Sequence, residues 1–224
     1  MAIIDYDDLI LAYMKPLAKH RKAKCAYTCI YKKEKLYFWQ IKIIPYIKGQ
    51  YTIIIGIKLW EYDEFLTSIT HPDESQHFTD KMRYQGFFAM KPYTIIRRDI
   101  DAPIDLLTNV ADTDKLQIWC EDVYHDAIDR IDTFIAEVEN EYGGLNSFLI
   151  ANADSDPIMA AFANIFAKNY DQAEILLNIA VQKGHIFNRC FGSVNRDLRD
   201  VLLDYCHAKQ FGKEWTRNMV LGGQ

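Results

Sequence analysis

Residues 25–58 read CAYTCIYKKEKLYFWQIKIIPYIKGQYTIIIGIK. Tyr, Ile, Phe, Trp and Thr crowd this stretch, and such side chains fit a pleated, half-buried surface. The pattern predicts three consecutive antiparallel strands, at about residues 24–31, 36–44 and 51–59. Alternation assigns the faces. Tyr37, Trp39, Ile41 and Ile43 share one side of the second strand, opposite Leu36, Phe38, Gln40 and Lys42. Tyr51, Ile53, Ile55 and Ile57 share one side of the third, opposite Thr52, Ile54, Gly56 and Lys58. One face of the sheet therefore needs a cover and the other is mixed. A charged turn over residues 32–35 and a second turn with Pro45 and Gly49 leave no room for a parallel crossover, so the strands form a meander.

Outward from the meander, residues 5–22 read as a helix. Asp5, Asp7 and Asp8 stand at its positive end, and Leu9, Tyr13, Pro16 and Leu17 with Ile10 and Met14 form an apolar stripe. Pro16 should kink it or start a second short helix. Residues 61–68 read as a short helix and 71–85 as a polar loop. That loop carries His71, Asp73, Glu74, His77 and Asp80 without a specific ligand spacing. Residues 87–98 read as a further strand, placed by Pro92 at an edge or a bulge. An Asp-rich connector, 99–114, follows; it lacks the glycine and the terminal Glu of a calcium loop.

Residues 115–142 form the longest predicted helix. Val123, Ala127, Ile131, Phe134, Val138 and Tyr142 recur at three- and four-residue steps, widened by Tyr124, Ile128 and Ile135. Carboxylates fill its outer side, and Gly143-Gly144 ends it. This helix and the first should cover the same face of the meander. Beyond residue 150 the chain reads as all helix, near 157–168, 170–183 and 194–210. The stretch 160–183 resembles a single tetratricopeptide-type helical hairpin, on Tyr170-Asp171-Gln172-Ala173, Leu177 and Ala180.

Half the residues are apolar and a quarter charged, the balance of a soluble globular protein. No apolar run reaches the roughly 18 residues that span a bilayer, and the acidic start is not that of a signal peptide; the expected location is the cytoplasm. Residues 1–60 carry a net +7, residues 61–156 a net −14 and residues 157–224 a net +2. So acidic a middle repels nucleic acid and attracts basic partners. Five scattered cysteines, Cys25, Cys29, Cys120, Cys190 and Cys206, are no disulfide framework. On one strand Cys25 and Cys29 would share a face roughly 13 Å apart.

No phosphate-binding loop, nucleophile elbow, zinc-protease helix or paired cysteine motif is present. Asp122, His125, Asp126 and Asp129 fall on one face of the long helix, with Asp132 one turn on. Carboxylates and an imidazole so placed could hold a divalent ion, as in a metal-dependent enzyme, or meet a basic protein. The basic run at 15–24, followed by Tyr27, Tyr31, Tyr37, Phe38 and Trp39, offers a third possibility, a sheet that stacks exposed bases.

Lys15-Pro16-Leu17, Tyr37-Phe38-Trp39-Gln40 and Ile53-Ile54-Ile55-Gly56-Ile57 resemble the opening of a group of uncharacterised bacterial α+β domains, over about residues 9–60. That resemblance implies no catalytic residues, and no cofactor is expected. Small acidic proteins of this build also look like bacterial immunity proteins, which neutralise a toxin by binding it.

The expected fold is thus α+β, with an antiparallel sheet covered on one face by helices 5–22 and 115–142. The expected domains are residues 1–150 and a helical appendage, 151–224. The expected function is non-enzymatic binding of a basic protein. Asp122, His125, Asp126, Asp129 and Asp132, with Asp73 and Glu74 in the loop, are its candidate contact residues.

Overall fold

The structure, a computed structural model, describes residues 6–26, 29–47, 49–72, 91–105, 110–111, 113–184 and 196–222. The chain divides into two compact units: Met1–Lys58 with Pro92–Ala136, and Leu59–Lys91 with Glu137–Gln224. The fold is α+β, with a five-stranded sheet in the first unit and helices throughout the second.

Helix α1 (Tyr6–His20) runs through Pro16 without a break, where the sequence predicted a kink or a second helix. Pro16 and the carbonyl it leaves unbonded, that of Ala12, both belong to exposed residues, so water can serve that carbonyl. The buried stripe is Ile10, Met14 and Ala18, at four-residue steps. It is turned slightly from the predicted one.

Strands β1 (Lys24–Ala26), β2 (Cys29–Glu34), β3 (Tyr37–Ile47), β4 (Gln50–Leu59) and β5 (Tyr93–Asp101) lie side by side in that order. The single strand expected at 24–31 is instead a hairpin: Ala26 pairs with Cys29, Cys25 with Ile30 and Lys24 with Tyr31. Cys25 and Cys29 therefore lie on opposite faces, not on a shared one, because directly opposed residues share a face and neighbours alternate. The next turn sits at Lys35-Leu36 rather than 32–35, closed by the Glu34–Tyr37 pair. Lys35 takes φ 55° there, and Leu36, expected in the strand, is exposed.

The alternation holds through β3 and β4. Tyr37, Trp39, Ile41, Ile43, Tyr51, Ile53, Ile55 and Ile57 are all buried. The opposite face, expected to be mixed, is also largely closed: Phe38, Gln40, Thr52 and Lys58 are buried, with the Lys58 ammonium 5.2 Å from the centre of the Phe38 ring. Strand β5 begins just after Pro92 and ends at Asp101, three residues beyond the strand expected at 87–98; residues 87–90 lie outside the described ones. It is an edge strand, and a bulge at Ile95 shifts its register between Ile55 and Gly56, as proline at an edge suggests. A Cβ on Gly56 would stand 2.9 Å from Pro92 Cβ, so the close approach at the bulge requires glycine. The connector expected from residue 99 proves to be the end of β5 and a small ladder of β6 (Ile104–Asp105) with β7 (Val110–Ala111).

Helix α3 (Thr113–Tyr142) follows, its first 24 residues in the first unit and the rest in the second; α2 is the helix Tyr62–Thr70. Leu116, Cys120, Val123, Ala127 and Ile131 are buried along α3. Its side chains meet the sheet face that carries Tyr51 and Trp39. Trp119 packs on Tyr51 at 5.7 Å, Phe134 stacks on Tyr93 at 5.8 Å, and Asp132 meets Arg21, which lies beside Trp39. Helices α1 and α3 thus cover one face, as the apolar stripes predicted.

The second unit holds α2, α4 (Leu145–Ala151), α5 (Pro157–Phe166), α6 (Tyr170–Gln182), α7 (Leu198–Gln210) and α8 (Arg217–Val220). Helix α4 was not foreseen. Asp156 caps α5, accepting from the Met159 N–H at 3.1 Å, ahead of Pro157. Ala160, Ala161, Ala163, Ala173 and Ala180 are buried, and such small residues let α5 and α6 approach closely. An aromatic cluster ties α2 to these helices: Tyr62 meets Phe162 at 5.1 Å, Phe65 meets Phe166 at 5.1 Å, and Tyr205 meets Trp215 at 5.4 Å. The Trp215 indole N–H donates to the Ile69 carbonyl at 2.6 Å, so this buried polar tip is satisfied.

Candidate partner-binding face

The outward side of α3 carries the candidate residues, and the fold sorts them into two kinds. Asp126 is half-buried. Its Oδ2 accepts from Arg98 of β5 at 2.6 Å and from Arg130, one turn on, at 3.0 Å. Asp132 accepts from Arg21, just beyond α1, at 2.9 Å through Oδ2, with a second contact through Oδ1. These two carboxylates fasten α3 to the sheet and to α1.

Asp122 and Asp129 are exposed and have no partner among the described residues. His125 is exposed between them, its ring 5.6 Å from that of Tyr124. Ile118 is 56% exposed although it is a large aliphatic on a well-packed helix. Positions 118, 122, 125 and 129 follow the i, i+4, i+7, i+11 repeat, so they form one stripe along the helix. Sequence reasoning missed Ile118, although the same helical spacing places it among the polar positions. Asp73 and Glu74 lie outside the described residues.

The stripe is not a convergent ligand set. Among the described residues no three His, Cys, Asp or Glu side chains gather where they could hold a metal ion. Asp126, which the metal reading requires, turns to two guanidinium groups. Among the described residues the thiols are withdrawn as well, while Cys190 lies outside them. Burial pushes Cys29, Cys120 and Cys206 up to about 12 and Cys25 up to about 11, so at neutral pH they remain protonated and poor nucleophiles. Four of the aromatic rings expected to stack bases are likewise committed, and Tyr27 lies outside the described residues. Tyr31, Tyr37, Phe38 and Trp39 are at most 5% exposed, which leaves them no open face on which a base could stack.

Behind α3, a polar cluster sits where four elements meet. The Arg21 guanidinium reaches Glu34 of β2 at 3.4 Å, and the Trp39 indole N–H of β3 donates to the same Glu34 oxygen at 3.1 Å. Lys32 lies 3.3 Å from the other Glu34 oxygen. Burial works against ionisation of Glu34, but the hydrogen bonds from Trp39 and Lys32 and the charges of Arg21 and Lys32 outweigh it. They hold the carboxyl below its ordinary value.

The second unit has an open cleft of about 620 Å³, lined by Arg196, Asp204, His207, Phe211, Trp215 and Met219 among others. Arg196, Asp204, His207 and Trp215 are spent within the fold. Arg196 pairs with Asp204 at 2.6 Å and donates to the Met219 carbonyl, His207 faces Glu174 at 3.2 Å, and Trp215 bonds Ile69.

No family model, no curated protein and no solved structure matches this chain. Among the described residues no helix is long and apolar enough to cross a membrane.

Proposed function

We propose that the chain is a non-enzymatic binding module that captures a basic protein on the exposed stripe of α3, in the manner of a bacterial immunity-type protein that neutralises a toxin. One observation supports this above the others. Asp122 and Asp129 stand exposed beside an exposed Ile118 and without a partner among the described residues, while their neighbours Asp126 and Asp132 are consumed by arginines of the same chain. Unpaired carboxylates raise the rate at which a cationic surface finds its site. An aliphatic side chain among them provides the apolar contact that a charged rim alone lacks.

The test compares the native chain with an Asp122→Lys/Asp129→Lys variant as bait in lysate of the source cells, at low and at high salt. A stoichiometric basic protein retained by the native chain, released by salt and lost by the variant is the expected result. Identical capture by both baits would remove α3 from the reading.

A further inference from the structure

Strand β5 ends the sheet, and none of the described strands pairs with its outer side. Pro92 and the bulge at Ile95 blunt its beginning. From Ile96 to Asp101 the ladder with β4 is regular, Ile96 opposite Ile55 through Asp101 opposite Gln50. The hydrogen-bond phase along this segment is fixed by one bond beyond it: the Ala102 N–H donates to the Gly49 carbonyl at 2.8 Å. In an antiparallel ladder bonded pairs alternate with unbonded ones. Residues 96, 98, 100 and 102 therefore spend their backbone groups on β4, and residues 97, 99 and 101 direct theirs to the open edge. The Thr52–Asp99 pair agrees, since its side chains touch at 2.6 Å, as the closer, unbonded pairs allow.

Residues 97, 99 and 101 are Arg, Asp and Asp, all exposed, and Arg97 has no partner among the described residues. We propose that β5 pairs with β5 of a second copy of this chain across a two-fold axis at Arg98, which joins two sheets into one. In that register Arg97 opposes Asp99 of the other copy, and Asp99 opposes its Arg97. Both are bonded pairs, which is the parity the edge requires, and both join opposite charges on one face. On the other face Ile96 opposes Ile100 of the other copy, twice. The two Arg98 side chains meet at the axis with their charge already answered, each by its own Asp126 at 2.6 Å. The neighbouring register of the same parity, with its axis at Asp99, also sets Arg97 against Asp101, but it places Asp99 against Asp99, a like-charge contact at its centre. An edge that carries an arginine next to an aspartate, as Arg97 and Asp99 do, can pair with itself, unlike the all-lysine edges that keep sheets apart.

Sedimentation equilibrium of the full chain tests this. The native protein should run at twice the 26.1 kDa chain mass. Arg97→Asp alone and Asp99→Arg alone should each weaken the dimer at least about tenfold, since two attractive pairs become repulsive. An equimolar mixture of the two variants should recover dimers that hold one chain of each, because a cross-strand pair of opposite charges is then restored on each side of the axis. An Arg97→Cys/Asp99→Cys chain should form covalent dimers under oxidation, a readout that does not depend on either charge variant folding well. A native chain that is monomeric at its highest soluble concentration would overturn the proposal. So would a dimer indifferent to both substitutions, or a mixture that fails to reassociate.

Discussion

Arg21 and Asp132 lie 111 positions apart in the chain, yet the guanidinium and the carboxylate meet along two edges, one at 2.9 Å. The contact joins the end of α1 to the middle of α3, and Arg21 also reaches Glu34 beside the indole of Trp39. Both partners are partly open to water, so the pair's contribution is moderate. Asp132→Asn should lower unfolding stability by about 1 kcal/mol, read as a shifted urea midpoint with an unchanged slope. In a double-mutant cycle, Arg21→Gln should cost less in the Asp132→Asn background than in the native one. Strict additivity would show that the two side chains are neighbours without being partners.

The carboxylates of α3 should separate into two classes. Asp126 binds Arg98 and Arg130, so Asp126→Asn should destabilise the protein by about 1 kcal/mol. Asp122→Asn and Asp129→Asn should stay within about 0.5 kcal/mol of the native stability, as surface changes do. A large stability loss at Asp122 or Asp129 would reveal a structural duty and weaken their assignment to a partner.

Acid should loosen the cluster around Glu34. Its folded-state value is depressed below its ordinary one, so its stabilising contribution is complete above the unfolded value and is lost as pH falls through the folded one. The group is partly open to solvent, so the effect is small and fades with salt. Native and Glu34→Gln proteins should therefore differ in thermal midpoint at pH 7 and converge as pH falls below the ordinary carboxylate range. A difference that persists or grows in acid would assign the stabilisation to something other than the carboxylate charge.

Gly56 faces Pro92 across the bulge, with Gln40 on its other side. Gly56→Ala must move Pro92 or tilt β5, at a cost of about 1–3 kcal/mol for an overpacked site. Thermal denaturation measures this, and an unchanged midpoint would mean that β5 yields freely at its start.

Cys29, Cys120 and Cys206 are buried and their thiols are raised to about 12. A maleimide at neutral pH should label Cys25 slowly, since its thiol too is raised, but ahead of these three, because it is half-exposed while they are buried and react only once denaturant is added. Peptide mapping by mass spectrometry distinguishes the sites. Rapid native labelling of Cys120 would mean that α3 lifts from the sheet on the timescale of the reaction.

Much of the first unit could be read from alternation alone. Tyr37, Trp39, Ile41 and Ile43 announce their face, and the apolar repeat of α3 announces its own. The hairpin between β1 and β2 could not be read so, because residues 26–29 are Ala, Tyr, Thr and Cys and contain none of the usual turn formers. The candidate face was legible as a row of carboxylates but not as two kinds. What divides Asp126 and Asp132 from Asp122 and Asp129 is the arrival of Arg98 and Arg21 from distant parts of the chain, and local spacing carries no record of that. Helix α4 was hidden for a simpler reason. It has only seven residues after a pair of glycines, too short a run for helical periodicity to show.

The two units are interleaved along the chain, and this governs the order in which they can be made. As the polypeptide leaves the ribosome, β1 to β4 appear first and wait for β5, which comes only after α2. Helix α2 waits in turn, since Tyr62 is synthesised 100 residues before the Phe162 ring on which it packs. During that interval the aromatic face of α2 lacks the Phe162 and Phe166 rings that pack on it. The first unit cannot close before part of the second has emerged, and the second closes last, so nascent chains of this protein should be clients of holding chaperones until translation is nearly complete.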